Sequence, residues 1–462
     1  MKEISIVELI QVVQGTHIQG DTNWVIEDAI IYNRHPLTRG KSLVLVYRKE
    51  TIHWEDIAPY TPCVLLVDRE VKDVPHHLTN VTIIQVKSMI QAFWSFTTYY
   101  RNLFHIPVVA ITGTCGKTTT KEMIKHIGEA FYHVHASYSS QNEPRRSFPY
   151  LMGMEDNTEM AVFETGLGNI GNIKHQCMIY QPTIGIITNI GAHHLDGCKS
   201  LEGYIEAKGE MIEGVREGGL LLINADDTNS KTLSLTSCKG TVQTFGMNQE
   251  AHYTAKKVTY APGGMSFIVE TPETSCQAFV PGYGEHQVYN ALAALAAIQH
   301  MGIALEAAVQ RLATFQNMER HLEISTGKKN ATIVDDTWTI NPTSIEVALD
   351  VVATIGEEKN IIVILGDINR LGDYEEEFHH KMGTLVAHHP AKTLITIGKK
   401  AKNIALQAER DGFKGTIYTF ANGKGVEEVL LPMLDENTLV LVKGPMSSRA
   451  MIALAQQLKE HS

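Results

Sequence analysis

The chain lacks long hydrophobic runs and closely spaced cysteine pairs. None of its 462 residues belongs to a run of eighteen apolar residues, which argues against a membrane-spanning helix. Its six cysteines are scattered without a CxxC pair, as expected of reduced thiols in a cytoplasm. The N-terminal segment carries acids, Glu3 and Glu8, where a signal peptide would have a basic flank and an apolar core. We therefore expect a cytoplasmic protein with no membrane insertion.

An excess of positive charge is also absent. The chain has 51 Asp and Glu residues against 40 Lys and Arg residues, so its formal net charge is −11, which argues against a nucleic-acid-binding surface. Hydrophobic residues make up 44% of the chain and charged residues 20%, a composition that allows substantial buried cores. A chain of this length predicts about three domains of ordinary size.

The most informative segment present is Ile111-Thr-Gly-Thr-Cys-Gly-Lys-Thr-Thr119. It follows an apolar run, residues 108–110, and precedes a stretch that favours a helix, residues 121–130. A buried strand, a tight glycine turn and a helix N-terminus form a phosphate-binding loop, in which Lys117 would reach the outer phosphates of a nucleotide and Thr118 would ligate Mg²⁺. The segment begins with Ile where the full P-loop pattern has Gly, so a chance match in a surface loop is the alternative. The predicted nucleotide contacts in this loop are Gly113, Thr114, Cys115, Gly116, Lys117, Thr118 and Thr119.

Three sections of the chain differ in pattern and predict an α/β fold with three domains. Residues 1–84 contain short β-rich runs and predict a small α/β N-terminal domain. Residues 85–316 alternate strand and helix patterns, which predicts a central P-loop ATPase domain on a mostly parallel sheet. Within it, residues 241–280 have short alternating strands and a Pro262-Gly-Gly264 turn, which predicts an antiparallel edge. Residues 317–462 repeat the α/β rhythm and predict a separate Rossmann-like domain.

The individual elements are short and separated by polar turns. Strands are predicted at residues 42–47, 63–67, 81–84, 108–112, 160–163, 184–188, 220–224, 331–334, 361–365, 394–397, 416–418 and 439–442. Helices are predicted at residues 87–104, 121–130 and 201–215.

Polar side chains follow several of these strands at their carboxyl ends, where open α/β sheets bind their ligands. Glu164 ends one strand and is a candidate second ligand for Mg²⁺, with an ordinary solvated carboxylate as the alternative. His193 and His194 follow the next strand and are candidate metal ligands, although a lone histidine is more often structural. Lys208, judged by its spacing alone, is a solvated helix lysine. We interpret Cys115 as a small residue that fits the phosphate loop, with a redox role as the alternative.

Motifs spread over nearly the whole length resemble those of the Mur ligases, the ATP-dependent amide ligases that build the peptidoglycan peptide. They occur in the order found in that family, and the motif sequences are most similar to those of the branch that adds D-alanyl-D-alanine to a UDP-linked tripeptide. The matching segments begin with Ile111–Thr119 and continue with Glu164-Thr-Gly-Leu-Gly-Asn-Ile-Gly, Thr188-Asn-Ile-Gly-Ala-His-His-Leu-Asp-Gly197, Ser200-Leu-Glu-Gly-Tyr-Ile-Glu-Ala-Lys-Gly-Glu210, Asn224-Ala-Asp-Asp227, Gly284-Glu-His-Gln-Val-Tyr-Asn290, Asp335-Asp336, Asn341-Pro342, Leu365-Gly-Asp367 and Val442-Lys-Gly444.

The resemblance implies roles for individual residues. Lys208 would be a carbamoylated lysine that, with Glu164 and His194, holds a second Mg²⁺, while Thr118 and Glu164 serve the first. The implied catalytic residues are Lys117, Lys208 and His194. The implied nucleotide contacts outside the phosphate loop are Asn290, and Arg320 and Asp335 from the C-terminal domain. His286 would be structural, and Lys443 would lie near the incoming amine.

The resemblance also implies the reaction and its partners. ATP would phosphorylate a substrate carboxylate, and an amine would then attack the acyl phosphate to form the amide. The substrates would be ATP, a UDP-linked muramyl peptide or a similar acid, and an amino acid or dipeptide amine. Closure of the C-terminal domain would exclude water. We expect a monomer that works without nucleic acid.

Several segments depart from the family pattern and leave alternatives open. Arg145 and Arg146 replace a glycine-containing phrase, Trp338 stands in place of a tyrosine, and Lys443-Gly-Pro-Met446 stands where Lys-Gly-Ser-Arg is expected. The N-terminal domain has Tyr32-Asn33-Arg34 instead of an Asp-Ser-Arg phrase. A Mur-like ligase that joins a different acid and amine is therefore an alternative, as are a non-catalytic Mur-like protein and a plain ATPase or kinase.

Overall fold

The computed structural model describes residues 1–72 and 74–460 of the chain. Its strands form a two-stranded ribbon and three larger sheets of five, nine and six strands. Each larger sheet draws its strands from one continuous part of the chain, so the elements fall into an N-terminal, a central and a C-terminal group.

The N-terminal group is built on a mainly parallel sheet. Its strands are β1 Ile4–Ser5, β2 Thr16–Gln19, β3 Val25–Ile26, β4 Asp28–Ile31, β5 Ser42–Val46, β6 Cys63–Val67 and β7 Val81–Gln85, and its helices are α1 Ile6–Val13, α2 Trp54–Ile57 and the linking helix α3 Met89–Asn102. The sheet order is β2-β7-β6-β5-β4, in which β4 to β7 are parallel and β2 is antiparallel to β7. Every residue of β5 and β6 is buried, as expected for a parallel sheet covered on both faces.

The central group carries the phosphate loop on a nine-stranded sheet. Its strands are β8 Val108–Thr112, β9 Val134–Ala136, β10 Met160–Glu164, β11 Ile184–Ile187, β12 Leu220–Asn224, β13 Thr241–Gly246, β14 Tyr253–Ala261, β15 Gly264–Glu270 and β16 Ser275–Pro281. Its helices are α4 Lys117–Gly128, α5 Ser147–Met152, α6 Asn172–Tyr180, α7 Leu195–Cys198, α8 Leu201–Gly214, α9 Glu285–His300 and α10 Leu305–Leu312. The sheet order is β16-β15-β14-β13-β12-β11-β8-β10-β9.

The predicted antiparallel edge begins later than expected. Strand β13 is parallel to β12 over five residue pairs and parallel to the start of β14, so the prediction that all of residues 241–280 is antiparallel was wrong. Antiparallel pairing is confined to the β14–β15–β16 meander, whose first turn contains Gly263 at φ +84°. An alternating sequence pattern predicts a strand but not its direction. The direction depends on whether the chain crosses over the sheet or turns back before the strand begins.

The C-terminal group repeats the parallel architecture. Its strands are β17 Glu323–Thr326, β18 Thr332–Asp336, β19 Asn360–Gly366, β20 Thr393–Ile397, β21 Thr416–Phe420 and β22 Thr438–Lys443, and its helices are α11 Pro342–Ile355, α12 Glu375–Ala387, α13 Lys402–Arg410, α14 Val426–Leu430 and α15 Arg449–Lys459. The order β17-β18-β22-β19-β20-β21 is parallel except for β17, which is antiparallel to β18.

The C-terminal group packs against the phosphate-loop end of the central sheet. The Leu195 backbone N–H donates to the Arg370 carbonyl over 2.9 Å, and the Cys115 thiol lies 3.5 Å from Asn341 Oδ1. The carboxyl ends of the two sheets therefore face each other across one cleft, where open α/β sheets bind their ligands. No helix within residues 1–72 and 74–460 is long and apolar enough to cross a membrane.

Candidate active site

The phosphate loop has the strand–turn–helix form that its sequence predicts. Strand β8 ends at Thr112, and the turn contains Gly113 at φ +146° and Gly116 at φ +81°. Both glycines are required, because a Cβ would lie 1.9 Å from Thr188 Oγ1 at Gly113 and 2.2 Å from Asn290 Oδ1 at Gly116. Helix α4 begins at residue 117, four residues earlier than predicted, and directs its free N–H groups into the loop.

The chain segment after β11 holds this loop in shape. Asn189 Oδ1 accepts from the Cys115 N–H over 3.0 Å, and the side-chain nitrogen of Asn189 donates to the Cys115 carbonyl over 3.0 Å. The Thr188 hydroxyl donates to the same carbonyl over 2.6 Å, and the Lys117 ammonium donates to the Thr114 carbonyl over 3.0 Å. The loop is therefore pre-shaped by side chains that lie about 75 residues further along the chain, as the sequence separations of 73 and 74 residues show.

The predicted Mg²⁺ ligands Thr118 and Glu164 are in direct contact. The Thr118 hydroxyl donates to Glu164 Oε2 over 2.8 Å, and the amide of Asn142 donates to Oε1 over 2.5 Å. Glu164 is almost fully buried, and its backbone N–H donates to the Ser137 hydroxyl over 2.9 Å. A buried carboxylate beside a phosphate loop, hydrogen-bonded to two neutral side chains, is a suitable oxygen ligand for a cation.

Lys208 is buried at the same end of the sheet. Its side chain is 2% exposed, and Nζ donates to Thr112 Oγ1 over 3.1 Å, so the interpretation from spacing as a solvated helix lysine was wrong. Burial lowers the pKa of Lys208 far below its ordinary value, and the nearby charge of Lys117 lowers it further. A neutral amine is the form that reacts with carbon dioxide to give a carbamate.

His193 and His194 lie next to each other beside Lys208. Their ring centroids are 4.2 Å apart, and His194 adopts a left-handed backbone conformation at φ +51°. Burial, with a smaller effect from the charge of Lys117, lowers the pKa of His194 to about 4, so its ring is neutral at physiological pH. Nδ1 of His194 is buried and has no hydrogen-bond partner among residues 1–72 and 74–460. A neutral imidazole with a free ring nitrogen is suited to ligate a metal.

Two parts of the chain match families of known domains. Residues 111–298 match the Mur ligase middle domain, and residues 320–446 match the Mur ligase glutamate ligase domain. A Bacillus subtilis (strain 168) protein named UDP-N-acetylmuramoyl-tripeptide--D-alanyl-D-alanine ligase is 30% identical over 372 residues, which cover 80% of either protein. The chain belongs to the Mur ligase family. An Escherichia coli (strain K12) protein of the same name is 26% identical over 475 residues, covering 100% of this chain and 99% of that protein.

Solved Mur ligase structures share the fold. A crystal structure of MurF from Acinetobacter baumannii superposes with a TM-score of 0.83 and covers 99% of both chains at 23% identity. The Thermotoga maritima MurF ligase, solved in complex with ADP, superposes with a TM-score of 0.77 at 18% identity and covers 93% of this chain and 97% of its own. The predicted family, the three-domain α/β fold and the enzyme class, an ADP-forming ligase of the MurF type, are confirmed. The boundaries at residues 84 and 316 and the roles of individual site residues stay predictions.

The start of helix α9 supplies further polar groups to this Mur ligase site. Asn290 is buried, and its Oδ1 accepts from the Thr120 hydroxyl over 3.4 Å while lying directly over Gly116. His286 lies in the first turn of the helix, and burial, followed by the charge of Lys443, lowers its pKa to about 4. Asn290 is thus placed beside the phosphate loop, where a nucleotide contact is expected.

The C-terminal candidates are held by contacts within their own domain. Arg320 donates from Nε to the Thr337 hydroxyl over 3.0 Å and stacks on Trp338. Asp335 accepts from the same hydroxyl over 2.7 Å and pairs with Lys459 over 2.8 Å. Their contacts with the nucleotide stay predictions. In the structure, Arg320 and Asp335 contact side chains of their own domain, and a nucleotide would have to bind beside those contacts.

The buried ion pair between Lys443 and Asp336 lies at the domain interface. Lys443 Nζ is 2.5 Å from Asp336 Oδ2 and donates to the Thr339 carbonyl over 2.8 Å. Lys443 lies at the end of β22, opposite Asp336 at the end of β18. The position at the carboxyl end of the C-terminal sheet is compatible with the predicted location near the amine substrate.

Sequence reasoning missed three asparagines that shape the site. Asn142 binds Glu164, Asn189 binds the phosphate loop, and Asn341 reaches the loop from the C-terminal domain. Asn189 and Asn341 lie within the Mur ligase motifs and Asn142 lies three residues before Arg145, but an amide side chain carries no charge that would single it out. Their contacts depend on distant parts of the chain, so only the folded structure reveals them.

Proposed function

We propose that this Mur ligase joins D-alanyl-D-alanine to a UDP-N-acetylmuramoyl-tripeptide in peptidoglycan synthesis, with ATP as the energy source. The names of the relatives support these substrates, and the observation that supports the ligase reaction is the buried Lys208 amine, 3.1 Å from Thr112 at the end of the phosphate-loop strand. A plain ATPase or kinase does not require a buried lysine at this place. In a ligase, such a lysine could become an anionic metal ligand, and the metal ion would help to activate the substrate carboxylate.

The residues at the site fit two Mg²⁺ ions. Thr118 and Glu164 would hold the first, and Glu164, His194 and carbamoylated Lys208 the second. Within residues 1–72 and 74–460 no group of three His, Cys, Asp or Glu side chains could hold a metal ion by itself, and a carbamate on Lys208 would add an anionic oxygen ligand of the kind that Mg²⁺ prefers. When bound, the ions would neutralise the charge that gathers on the transferred phosphoryl group.

The protein's own residues would carry the other parts of the reaction. The free N–H groups at the start of α4 and the Lys117 ammonium would bind the ATP phosphates and orient the γ-phosphate toward the substrate carboxylate. The carboxylate oxygen attacks the γ-phosphorus, ADP leaves, and the acyl phosphate that results loses phosphate when the amine attacks its carbonyl carbon. The docked C-terminal domain would exclude water, which would otherwise hydrolyse the acyl phosphate.

A second candidate function is ligation of a different acid and amine. It is favoured by the two exposed arginines, Arg145 and Arg146, which replace the family's glycine-containing phrase. His35 is close to both arginines and to Arg34, because the charges of all three act on its pKa, and its Nε2 lies 2.9 Å from the Arg145 carbonyl. This basic cluster suits an acidic acceptor.

Phosphate release with a panel of substrates tests the proposal. UDP-muramyl peptides of different length would be paired with single amino acids and with D-alanyl-D-alanine, and each pair would be measured with either partner omitted. The proposal predicts rapid release only with the tripeptide and the dipeptide together. Release with another acid and amine would favour the second candidate, and release with ATP alone would indicate an ATPase.

A further inference from the structure

The side-chain amide of Asn341 is a buried hydrogen-bond donor without an acceptor. The residue is 0% exposed, and its Nδ2 has no partner in the part of the chain that the structure describes. Asn341 is the N-cap of helix α11, and its Oδ1 accepts from the Ser344 N–H over 2.9 Å while the Ser344 hydroxyl accepts from the Asn341 N–H over 3.0 Å. This reciprocal cap fixes which end of the amide is the oxygen, so the nitrogen is left as a free donor.

The amide lies against the phosphate loop of the other domain. Asn341 Oδ1 is 3.5 Å from the Cys115 thiol, and the charges of both Lys117 and Lys443 act on that thiol, which places two ammonium groups nearby. The first turn of α11 also touches the central domain, since a Cβ on Gly191 would lie 2.0 Å from Thr343 Oγ1. Helix α11 has fourteen residues, so its positive end points at the same space.

We propose that Asn341 is a catalytic residue whose Nδ2 donates a hydrogen bond to the phosphoryl group as it passes from ATP to the substrate carboxylate. The inference rests on the proposed ligase function and adds a contact to it. In this step the bond between the γ-phosphorus and the bridging oxygen of ADP breaks while the bond to the carboxylate oxygen forms. Asn341 transfers no proton; it stabilises the negative charge on a peripheral oxygen of the moving group.

The position of Asn341 on the C-terminal domain makes this contact conditional. Asn341 lies beside the phosphate loop only when the two domains are docked, as they are here through Leu195 and Arg370. A donor that contacts the transferred group alone adds nothing to the binding of ADP and acts on turnover, because only interactions that are stronger in the transition state raise kcat.

The test compares variants that keep the helix cap with one that breaks it. Asn341→Asp and Asn341→Ser retain an N-cap oxygen but lose the amide donor. Both should lower kcat about a hundredfold, leave the Kd for ADP within about twofold of the parent, and abolish the tighter binding of ADP in the presence of aluminium fluoride, a mimic of the transferred phosphoryl group. The matched control, Ser344→Ala, removes one partner of the cap and keeps Nδ2; it should lower the melting temperature and retain turnover.

Two results would overturn the inference. One is parent-like turnover and parent-like tightening by aluminium fluoride in both Asn341 variants. The other is a decrease in kcat for Ser344→Ala that equals the decrease for the two Asn341 variants. The effect would then come from a less stable helix and not from the lost amide donor. The binding measurement does not need the acid and amine substrates, so it separates this inference from the proposed function. If aluminium fluoride increased the affinity of the parent protein for ADP but the protein ligated no muramyl peptide, only the proposed function would be contradicted.

Discussion

Oγ1 of Thr118 lies 2.8 Å from Oε2 of Glu164, which joins the first turn of α4 to the end of a neighbouring strand. Strands β8 and β10 are parallel and place Glu164 beside Ile111, the first residue of the loop motif. The two oxygens are of the type that Mg²⁺ prefers, and they lie beside the N–H groups that would bind phosphate. Because this contact joins helix α4 to strand β10, a change on either element alters the same site.

Lys117→Ala should abolish ligase turnover. Lys117 Nζ now donates to the Thr114 carbonyl, within reach of a phosphate bound by the loop, and its loss removes a positive charge from the transferred group. We expect a loss on the order of a thousandfold in kcat/KM, measured by phosphate release with saturating acceptor and amine.

The matched control for this variant is Lys125→Ala. Lys125 belongs to the same helix, but it is exposed and pairs over 3.7 Å with Glu129 on the surface. It should keep parent activity. Turnover of Lys117→Ala within a few-fold of the parent would show that the lysine does not contact the reacting phosphates.

Lys208→Ala should be nearly inactive and should be partly rescued by short-chain carboxylic acids that restore an oxygen ligand. Lys208→Arg should stay inactive, because a guanidinium does not ligate Mg²⁺. Activity of all three proteins would be measured with and without added acetate or propionate.

A direct readout does not depend on turnover. Burial lowers the pKa of Lys208 far below its ordinary value, which favours the neutral amine, so the amine should react with ¹³C-labelled bicarbonate to give a carbamate resonance in the parent. Lys208→Ala should lack that resonance. An active Lys208→Arg variant, or a parent without a carbamate signal under turnover conditions, would contradict the assignment.

Replacing Arg145 and Arg146 together by Ala should raise the acceptor KM strongly and leave the ATP KM little changed. Both guanidiniums are exposed, and Arg145 is held by Glu143 over 2.7 Å, so their loss should affect binding of an acidic acceptor more than folding. Steady-state kinetics with each substrate varied in turn would measure both constants.

The control removes the same amount of charge elsewhere. Arg410 and Lys414 are exposed on the C-terminal domain, and their double Ala variant should keep both KM values. If the Arg145 and Arg146 variant also kept the parent's acceptor KM, acceptor recognition would have to be sought around Arg34.

Acid should destabilise the parent more than a His286→Gln variant. Burial lowers the pKa of His286 from 6.5 to about 4, so between these two pH values the unfolded chain binds a proton that the folded protein does not. The contribution of this histidine to the free energy of unfolding therefore falls as the pH drops from about 6.5 toward 4 and is constant above that window. Urea unfolding at pH 7 and pH 5 would measure it.

Other buried histidines contribute the same trend to both proteins, so the difference between the parent and His286→Gln is the quantity that tests the prediction. The parent should lose more stability than the variant between the two pH values. An equal loss in both would mean that His286 titrates normally.

The elements of the parallel sheets could be predicted because their signals are local. Strands such as Val108–Thr112 and Leu220–Asn224 are continuous apolar runs, and burial on both faces requires that pattern wherever the strand lies in the sheet. Helix α1 was missed although Ile6, Leu9 and Val13 have helical spacing, since one short helix gives little periodicity. The direction of β13 could not be read, because it depends on the path of the chain before the strand.

What the sequence determined by itself is the phosphate loop, since the glycines, Lys117 and Thr118 act through their own backbone turn and the helix that follows. The state of Lys208 was decided only by the tertiary structure: its neighbours in the chain permit a solvated side chain, and its pKa falls because α8 packs it against Thr112, 96 residues away. The same holds for Asn341, which is 226 residues from Cys115 in the chain and meets it only when the domains dock. Charge and hydrogen-bonding state depend on what surrounds a group, and for both residues those surroundings come from distant parts of the chain.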